Sequence, residues 1–340
     1  MLTKDFDYYL PKELIAQEPT EKRDESRLLI LSRQTGEIKE TIFKEIINYL
    51  NPTDLLVLND TRVIKARIFG QLLSDRKVEL LLLREISSGI WETLARPAKK
   101  VKPGGKIRFG EYEATILERK ESGVRIVQFS PDNISNLLNK YGELALPPYI
   151  KKPCQDPNRY QTIYGNKHGA IAAPTAGLHF TEELLKAIRA KGVTTLFITL
   201  HCGLGTFRPV KVEKVEEHRM YPEEFVINDD TAQKVNQAKA EKRRVIAVGT
   251  TVVRALETQA YQQKKEWRLK PGQGLTNLYI YPGYEFKIVD AMVTNFHLPK
   301  STLLMLVCAF ANKELIFKAY DYAIRNRFRF YSFGDAMLII

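Results

Sequence analysis

The arrangement of short and long apolar segments limits the folds open to this sequence more than any other feature. From about residue 65 to residue 150, polar and apolar residues alternate in short runs separated by Gly, Pro and charged turns, namely residues 77–83, 91–95, 106–109, 112–117 and 124–129. Such runs are typical of short antiparallel strands, whose side chains face opposite sides in turn. We therefore expect a small antiparallel β-barrel or sandwich in this stretch.

Segments that suit an α/β domain lie on both sides of this stretch. Apolar runs predict buried strands at residues 55–58, 194–201 and 245–248, and helical patterns come between them. The fold class predicted is therefore α/β. We expect a barrel-like α/β main domain, made of residues 1–64 and 151–340, with residues 65–150 inserted as a small antiparallel β-barrel domain.

Two helices of the main domain are predicted from spacing and caps. Ile42, Ile46 and Leu50 recur at helical spacing, which predicts a helix over residues 37–50. Ser301 precedes a segment that is apolar up to residue 311, which predicts a capped and buried helix.

Composition favours a folded protein without disulfides or a structural metal. With 340 residues, 44% of them hydrophobic, the chain can hold two domains with cores. Cys154, Cys202 and Cys308 are an odd set without CxxC spacing, so reduced thiols and no metal site are expected. The longest apolar run, residues 303–311, is well below the roughly 20 residues that span a bilayer. We expect a cytoplasmic protein with no membrane partner.

The charge balance favours a polyanionic partner. The net charge is +12, and Arg96, Lys99, Lys100 and Lys102 lie in a stretch without acids. Near the end of the sequence, Arg325, Arg327 and Arg329 alternate with aromatic residues, as in proteins that bind RNA phosphates and stack on bases. Two alternatives remain open: a basic enzyme whose charge only aids solubility, and a core strand with a solvated basic face at 325–331.

Residues 172–181 join an apolar strand to an amphipathic helix and include His179. Thr181 is a credible N-cap, so His179 lies just ahead of a helix N-terminus. The positive end of the helix dipole suits an anionic ligand and favours a neutral imidazole that can accept a proton. The alternative is a buried histidine that ties the loop together.

Polar residues also follow several predicted strands. Asn59-Asp60-Thr61-Arg62, Gly249-Thr250-Thr251 and Phe296-His297 each come after an apolar run, and His201 ends the strand that also carries Thr199 on the same face. Because α/β folds bind ligands at the carboxyl ends of strands, we expect His179, His201, His218 and His297 to converge on one pocket. Two alternatives remain open. In one, residues 59–62 form a polar turn that satisfies its own hydrogen bonds; in the other, Arg254 forms a salt bridge with Glu257.

Several blocks of this sequence resemble the S-adenosylmethionine:tRNA ribosyltransferase-isomerases of queuosine biosynthesis. The blocks extend over the whole chain, and the longest are APTAGLHFT at residues 173–181, GTFRPV at 205–210 and TNFHLPKSTLLMLV at 294–307. Cys202 and Leu204 depart from the pattern, since smaller residues are expected there.

The resemblance implies a reaction. Such enzymes transfer and isomerise the ribosyl group of S-adenosylmethionine onto 7-aminomethyl-7-deazaguanine at the tRNA wobble position, giving epoxyqueuosine and releasing adenine and methionine. S-adenosylmethionine is then a consumed co-substrate and no cofactor is expected. The reaction needs a base near the hydrogens beside the sulfonium, an acid for adenine, and polar contacts to the ribose and carboxylate.

Candidate residues follow from these patterns. We predict His179 as the proton acceptor, His201 as an acid or orienting group, and Asp60 as a third catalytic residue. The predicted substrate-binding residues are Arg62, Thr175, Arg208, His218, Thr250, Thr251, Arg254, His297 and Asp335, and the predicted tRNA-binding residues are Arg96, Lys99, Lys100, Lys102, Arg327 and Arg329.

The expected partners are tRNA carrying the precursor base and S-adenosylmethionine, and a monomer is expected. Two other classes compete with this interpretation. One is a non-catalytic tRNA-binding protein, for which clustered histidines are unneeded. The other is an α/β-barrel enzyme for a small phosphorylated substrate, for which the basic β domain is unneeded.

Overall fold

The computed structural model of the chain describes residues 1–203 and 209–340. It forms two compact units. The larger, which we call the main unit, consists of Met1–Arg62, Pro148–Lys167 and Ala173–Ile340, and the smaller consists of Val63–Pro147 and His168–Ala172. The domain boundaries predicted from the sequence, at residues 65 and 150, stay a prediction.

Strands make up most of the regular structure. In chain order they are β1 Arg27–Leu31, β2 Ile38–Ile42, β3 Leu55–Asn59, β4 Thr61–Val63, β5 Arg67–Leu72, β6 Lys77–Ser87, β7 Ile90–Arg96, β8 Lys106–Phe109, β9 Tyr112–Arg119, β10 Arg125–Ser130, β11 Gly142–Glu143, β12 Lys167–Ala170, β13 Thr194–Leu200, β14 Glu223–Ile227, β15 Val245–Val248, β16 Ala260–Gln263, β17 Glu266–Leu269, β18 Gly272–Thr276, β19 Ala291–Asn295 and β20 Ala336–Ile339.

The α-helices lie mainly in the main unit. They are α1 Ser135–Tyr141, α2 Glu182–Ala190, α3 Asp229–Ala240, α4 Thr250–Thr258, α5 Thr302–Ala311 and α6 Lys313–Arg325. Short 3-10 helices occupy Thr3–Phe6, Lys12–Leu14, Arg23–Glu25, Phe43–Tyr49, Pro157–Tyr160, Thr175–His179 and Val215–Glu217.

A nine-stranded mixed sheet organises the main unit, in the order β18-β14-β13-β3-β15-β19-β20-β1-β2. Its four strands β13, β3, β15 and β19 are mutually parallel. Every residue of β3, β15 and β19 is buried, as expected of parallel strands covered on both faces. Among the described residues no pairing joins β18 to β2, so the sheet has two ends there.

The smaller unit contains a closed antiparallel barrel. Its strands follow the order β5-β6-β7-β10-β9-β8, and β8 pairs again with β5. Alternate side chains point inward, so that Leu80, Ile107 and Val127 are fully buried while the residues between them are more exposed. The predicted fold class, α/β with an inserted small antiparallel β-barrel, is confirmed.

The helix predicted over residues 37–50 is wrong. Ile38–Ile42 forms strand β2, which pairs antiparallel with β1, and Phe43–Tyr49 is a 3-10 helix. Phe43, Ile46 and Leu50 face the buried core from the 3-10 helix and the residue after it, whereas Ile42 at the end of β2 is only half-buried. Pairing with β1 outweighs the local helical pattern.

The capped, buried helix predicted after Ser301 is confirmed. The Leu304 backbone N–H donates to the Ser301 Oγ at 3.1 Å, and nearly all of α5 is buried. Within the part of the chain that the structure describes, no helix is long and apolar enough to cross a bilayer.

Candidate functional site

Strand direction brings polar residues of the main unit to one edge of the large sheet. Because β3, β13, β15 and β19 are parallel, the residues that follow them meet at the same edge. β20 runs antiparallel to β19 and β1 runs parallel to β20, so the residues that precede β20 and β1 reach that edge as well.

A cleft lies at this edge, which we call the main cleft. Its empty space is about 560 Å³, a volume that includes the open solvent at its mouth. The predicted residues that line it are Thr175, Thr250, Thr251 and His297. The buried thiol of Cys202 also lines it, and burial raises the pKa of that thiol, so the thiol stays protonated.

The turn from β15 into α4 presents two hydroxyls to the main cleft. Gly249 has a φ of +94°, a backbone conformation that a side chain would strain, and it lets the chain enter α4 directly after the strand. Thr250 and Thr251 are therefore the first residues of α4, where backbone N–H groups and the helix dipole favour an anionic group.

His297 presents one ring nitrogen without a described partner. Its Nε2 lies 2.7 Å from the Thr294 Oγ1, and that hydroxyl donates to the Asn295 carbonyl oxygen. Which of the two groups donates depends on the ring tautomer; in the tautomer that donates from Nε2–H, Nδ1 carries the lone pair, and among the described residues Nδ1 has no hydrogen bond. Burial lowers the pKa of His297 to about 3, so a neutral imidazole lines the cleft at pH 7.

Asn295 is a cleft residue that the sequence analysis did not single out. It is 2% exposed, and its Nδ2 lies 3.2 Å from the carbonyl oxygen of Tyr331 and 3.2 Å from the Nε2 of His179. Its Oδ1 is buried without a hydrogen-bond partner among the described residues, and a buried acceptor of this kind suits a ligand donor. Its position at the end of an apolar strand is the signal that could have identified it.

Asp60 and His201 lie side by side next to the main cleft. The Thr199 hydroxyl donates to the Asp60 Oδ1 at 2.6 Å, and the His201 Nδ1 lies 2.7 Å from the Thr61 hydroxyl. Burial raises the pKa of Asp60 and lowers that of His201. Asn59, also not singled out from sequence, connects this pair to the cleft, because its Nδ2 lies 3.3 Å from the Thr251 Oγ1.

Both ring nitrogens of His179 have protein partners. Nδ1 lies 2.6 Å from the Ser26 Oγ, Nε2 lies 3.2 Å from the Asn295 Nδ2, and the ring stacks on Phe43. The residue precedes α2 as predicted, and Thr181 caps that helix. Burial, with Arg329 and Arg23 nearby, lowers its pKa to about 3. These contacts are those of the alternative interpretation, in which the histidine ties the loop together.

A smaller pocket lies on the other side of His179, and we call it the arginine pocket. Its lining includes Arg23, Arg159, His179 and Ser332, and its empty space is about 260 Å³, open solvent included. Ser332 lines the main cleft as well, and His179 contacts Asn295, which lines that cleft. The two sites are therefore neighbours.

Other predicted residues lie apart from the main cleft. The Arg254 guanidinium forms a buried salt bridge with Glu223, whereas Glu257, the alternative partner left open by the sequence, accepts hydrogen bonds from the backbone N–H groups of residues 287–289. Arg62 donates to the Gly165 carbonyl oxygen, and His218 packs edge-on against Tyr279. Arg208 and Leu204 lie outside the described residues.

The predicted residues near the chain end differ in exposure. Asp335 is 2% exposed and accepts hydrogen bonds from the backbone N–H groups of Arg27 and Arg329. Arg329 is half-buried and Arg327 is exposed. The four predicted tRNA-binding residues of the smaller unit are all exposed; they are Arg96, Lys99, Lys100 and Lys102. Within the described part of the chain, no group of three or more His, Cys, Asp or Glu residues is placed to hold a metal.

The neutral histidines predict a loss of stability in acid. His179 and His297 have folded pKa values of about 3, against about 6.5 in an unfolded chain. Above pH 6.5 both states are neutral; below it only the unfolded chain gains protons, so stability falls as pH falls from about 6.5 towards 3. Each histidine contributes up to about 1.4 kcal/mol per pH unit.

Urea unfolding at pH 7 and pH 5 checks this prediction. We expect His179→Gln and His297→Gln each to reduce the difference in unfolding free energy between the two pH values. His168→Gln, at an exposed position on β12, is the matched control. An unchanged difference in both variants would contradict the burial of neutral rings.

Comparison with known proteins identifies relatives over the whole chain. Residues 3–339 match the family model described as queuosine biosynthesis protein. The chain is 51% identical to the S-adenosylmethionine:tRNA ribosyltransferase-isomerase of Halothermothrix orenii, and the match covers the full length of both proteins. It is 54% identical, again over both full lengths, to the protein of the same name from Caldanaerobacter subterraneus subsp. tengcongensis.

A solved structure is also similar. The crystal structure of S-adenosylmethionine tRNA ribosyltransferase from Thermotoga maritima is 42% identical, with a TM-score of 0.56, and the match covers 99% of this chain and 100% of that one.

Proposed function

The chain belongs to the queuosine biosynthesis protein family, and from this membership we propose that it transfers and isomerises the ribosyl group of S-adenosylmethionine onto 7-aminomethyl-7-deazaguanine at the tRNA wobble position. Epoxyqueuosine, adenine and methionine are the products, and S-adenosylmethionine is consumed as a co-substrate. The full-length match to enzymes named S-adenosylmethionine:tRNA ribosyltransferase-isomerase is the observation that carries this proposal.

The chemistry of the main cleft supports the proposal. Its lining is largely apolar with a few polar groups, as in pockets for small organic ligands, and Thr250 and Thr251 at the start of α4 suit the methionine carboxylate. The unpartnered Asn295 Oδ1 suits an N–H or O–H of the adenosine group. A methyltransferase-type Gly-rich loop is not required, because the ribose is transferred and the methyl group is not.

The His297 Nδ1 is the proton acceptor of this proposal. The reaction needs a base for the hydrogens beside the sulfonium, and a neutral imidazole that lines the cleft suits that role in the tautomer that carries its proton on Nε2. The assignment of this role to His179, with His201 as acid or orienting group beside Asp60, stays a prediction. His179 would first have to release the Asn295 amide, because that group lies 3.2 Å from its Nε2.

Adenine release tests the proposed function. Purified protein is incubated with S-adenosylmethionine labelled in the adenine ring, with and without tRNA that carries the precursor base. We expect free adenine only when this tRNA is present, because the leaving group departs when the ribosyl group is transferred. No adenine from either mixture would exclude the reaction, and retained tRNA binding without adenine release would favour a non-catalytic tRNA-binding protein.

Substitution of the two histidines tests which ring accepts the proton. We expect His297→Ala to lower turnover by about 10² to 10⁴ while S-adenosylmethionine affinity is nearly kept. We expect His179→Ala to lower thermal stability, because it removes the contacts to Ser26 and Asn295. Exchange of the hydrogens beside the sulfonium with deuterated solvent reports the base directly. Full exchange in His297→Ala together with its loss in folded His179→Ala would assign the base to His179.

The exposed lysines of the smaller unit belong to the same proposal as groups that bind tRNA phosphates. We expect the triple change of Lys99, Lys100 and Lys102 to Ala to weaken tRNA binding and to flatten its salt dependence by roughly 0.7 to 0.9 log units for each phosphate that is no longer neutralised. S-adenosylmethionine affinity should hardly change. Equal tRNA affinity across a salt titration would mean that these lysines form only a solvated loop.

A further inference from the structure

Three arginines of the main unit surround the arginine pocket, and two of them were not among the predicted site residues. Arg23 and Arg159 line the pocket. Arg329 reaches its rim, where it donates to the carbonyl oxygens of Glu18 and Phe333 at 3.2 and 2.9 Å. All three side chains are half-buried, so each has lost part of its hydration.

Backbone carbonyls hold these guanidinium groups in fixed positions. Arg23 donates to the carbonyl oxygens of Leu178 and Asn158 at 3.0 and 2.8 Å, and Arg159 donates to those of Glu21 and Thr20 at 2.8 and 2.5 Å. A carbonyl oxygen satisfies an N–H group but carries no net charge. The hydrogen bonds therefore orient the positive charges without neutralising them.

The acids around the pocket do not balance this charge. Within the described residues, no carboxylate lies within 4.0 Å of a guanidinium nitrogen of Arg23 or Arg159. Asp335 lies 3.8 Å from the Arg329 Nε, but it also accepts two backbone N–H groups. Burial, and after it the charge of Arg159, lower the pKa of Arg23, while the charge of Asp156 raises it in part, so Arg23 and Arg159 repel each other.

One guanidinium donor beside the pocket has no partner. The Nε of Arg159 is buried and has no hydrogen-bond partner among the described residues. The planar guanidinium group matches the oxygens of a phosphate better than a point charge does. An anion in the pocket would reduce the repulsion between Arg23 and Arg159.

The lining favours an oxyanion. Among the described residues it contains two arginines and no carboxylate. Because Ser332 lines both this pocket and the main cleft, a phosphate here would lie next to the site proposed for S-adenosylmethionine.

We propose that the pocket formed by Arg23, Arg159 and Arg329 binds a backbone phosphate of the substrate RNA and so positions the neighbouring nucleotide at the main cleft. This inference rests on the proposed function for the nature of the RNA. The carboxylate of S-adenosylmethionine is the competing anion, and the test separates the two.

The experiment uses the full chain with Arg23→Gln, Arg159→Gln and the double variant. These changes keep hydrogen-bonding side chains but remove the charges. Arg189→Gln is the matched control, because it removes one positive charge from an exposed position on α2, where the side chain donates to Thr195. Binding of precursor tRNA is measured by fluorescence anisotropy across a salt titration, and binding of S-adenosylmethionine by calorimetry.

We expect each single change to weaken tRNA binding by about ten- to a hundredfold, as for loss of a charge-assisted hydrogen bond, and to reduce the salt slope by roughly 0.7 to 0.9. S-adenosylmethionine binding and the control variant should match the parent. Unchanged tRNA binding would overturn the proposal. So would an equal loss in the control, or a loss of S-adenosylmethionine binding with tRNA binding kept.

A folding defect is distinguished by a second substitution. Arg159→Lys keeps the charge but loses the planar fork, so we expect it to keep the salt slope while affinity falls. Thermal unfolding of each variant accompanies the binding measurement, and restored tRNA affinity after stabilisation of a destabilised variant would overturn the proposal. Adenine release by the parent is read separately: arginine-dependent tRNA binding without adenine release would support this site and exclude the proposed reaction.

Discussion

Parallel pairing of four central strands is the constraint on which the candidate site depends. Backbone hydrogen bonds fix β13, β3, β15 and β19 in one direction, so the residues that follow them are brought to a single edge. The same pairing explains why residues far apart in sequence are neighbours, such as Asn59 and Thr251. If β3 ran the other way, Asn59 would lie at the opposite edge, and if β15 ran the other way, so would Thr251.

Burial determines the electrical character of this edge. His179 and His297 are removed from water, which lowers the pKa of each to about 3 and keeps both rings neutral. The arginines beside them keep their charge, because an arginine is protonated at any ordinary pH. The main unit thus presents a neutral cleft, lined mostly by apolar groups, beside a positively charged pocket.

Hydrogen bonding also differs between the two histidines. Both are neutral, but the ring nitrogens of His179 contact Ser26 and Asn295, whereas the Nδ1 of His297 has no described partner. A neutral imidazole can accept a proton only where its lone pair reaches the substrate. Hydrogen bonding, and not the pKa alone, therefore distinguishes a ring suited to proton transfer from one suited to holding a loop.

The sequence by itself determined the α/β class, the inserted antiparallel barrel and the buried helix after Ser301, because alternation, helical spacing and caps are local patterns. Its long blocks also determined the family.

The tertiary structure decided what depends on partners distant in the chain. It made residues 38–42 an edge strand, since pairing with β1 outweighs helical spacing. It paired Arg254 with Glu223 instead of the nearby Glu257, and it brought Arg23, Arg159 and Arg329 around one pocket. Strand order and direction determine these contacts, and no local sequence pattern predicts them.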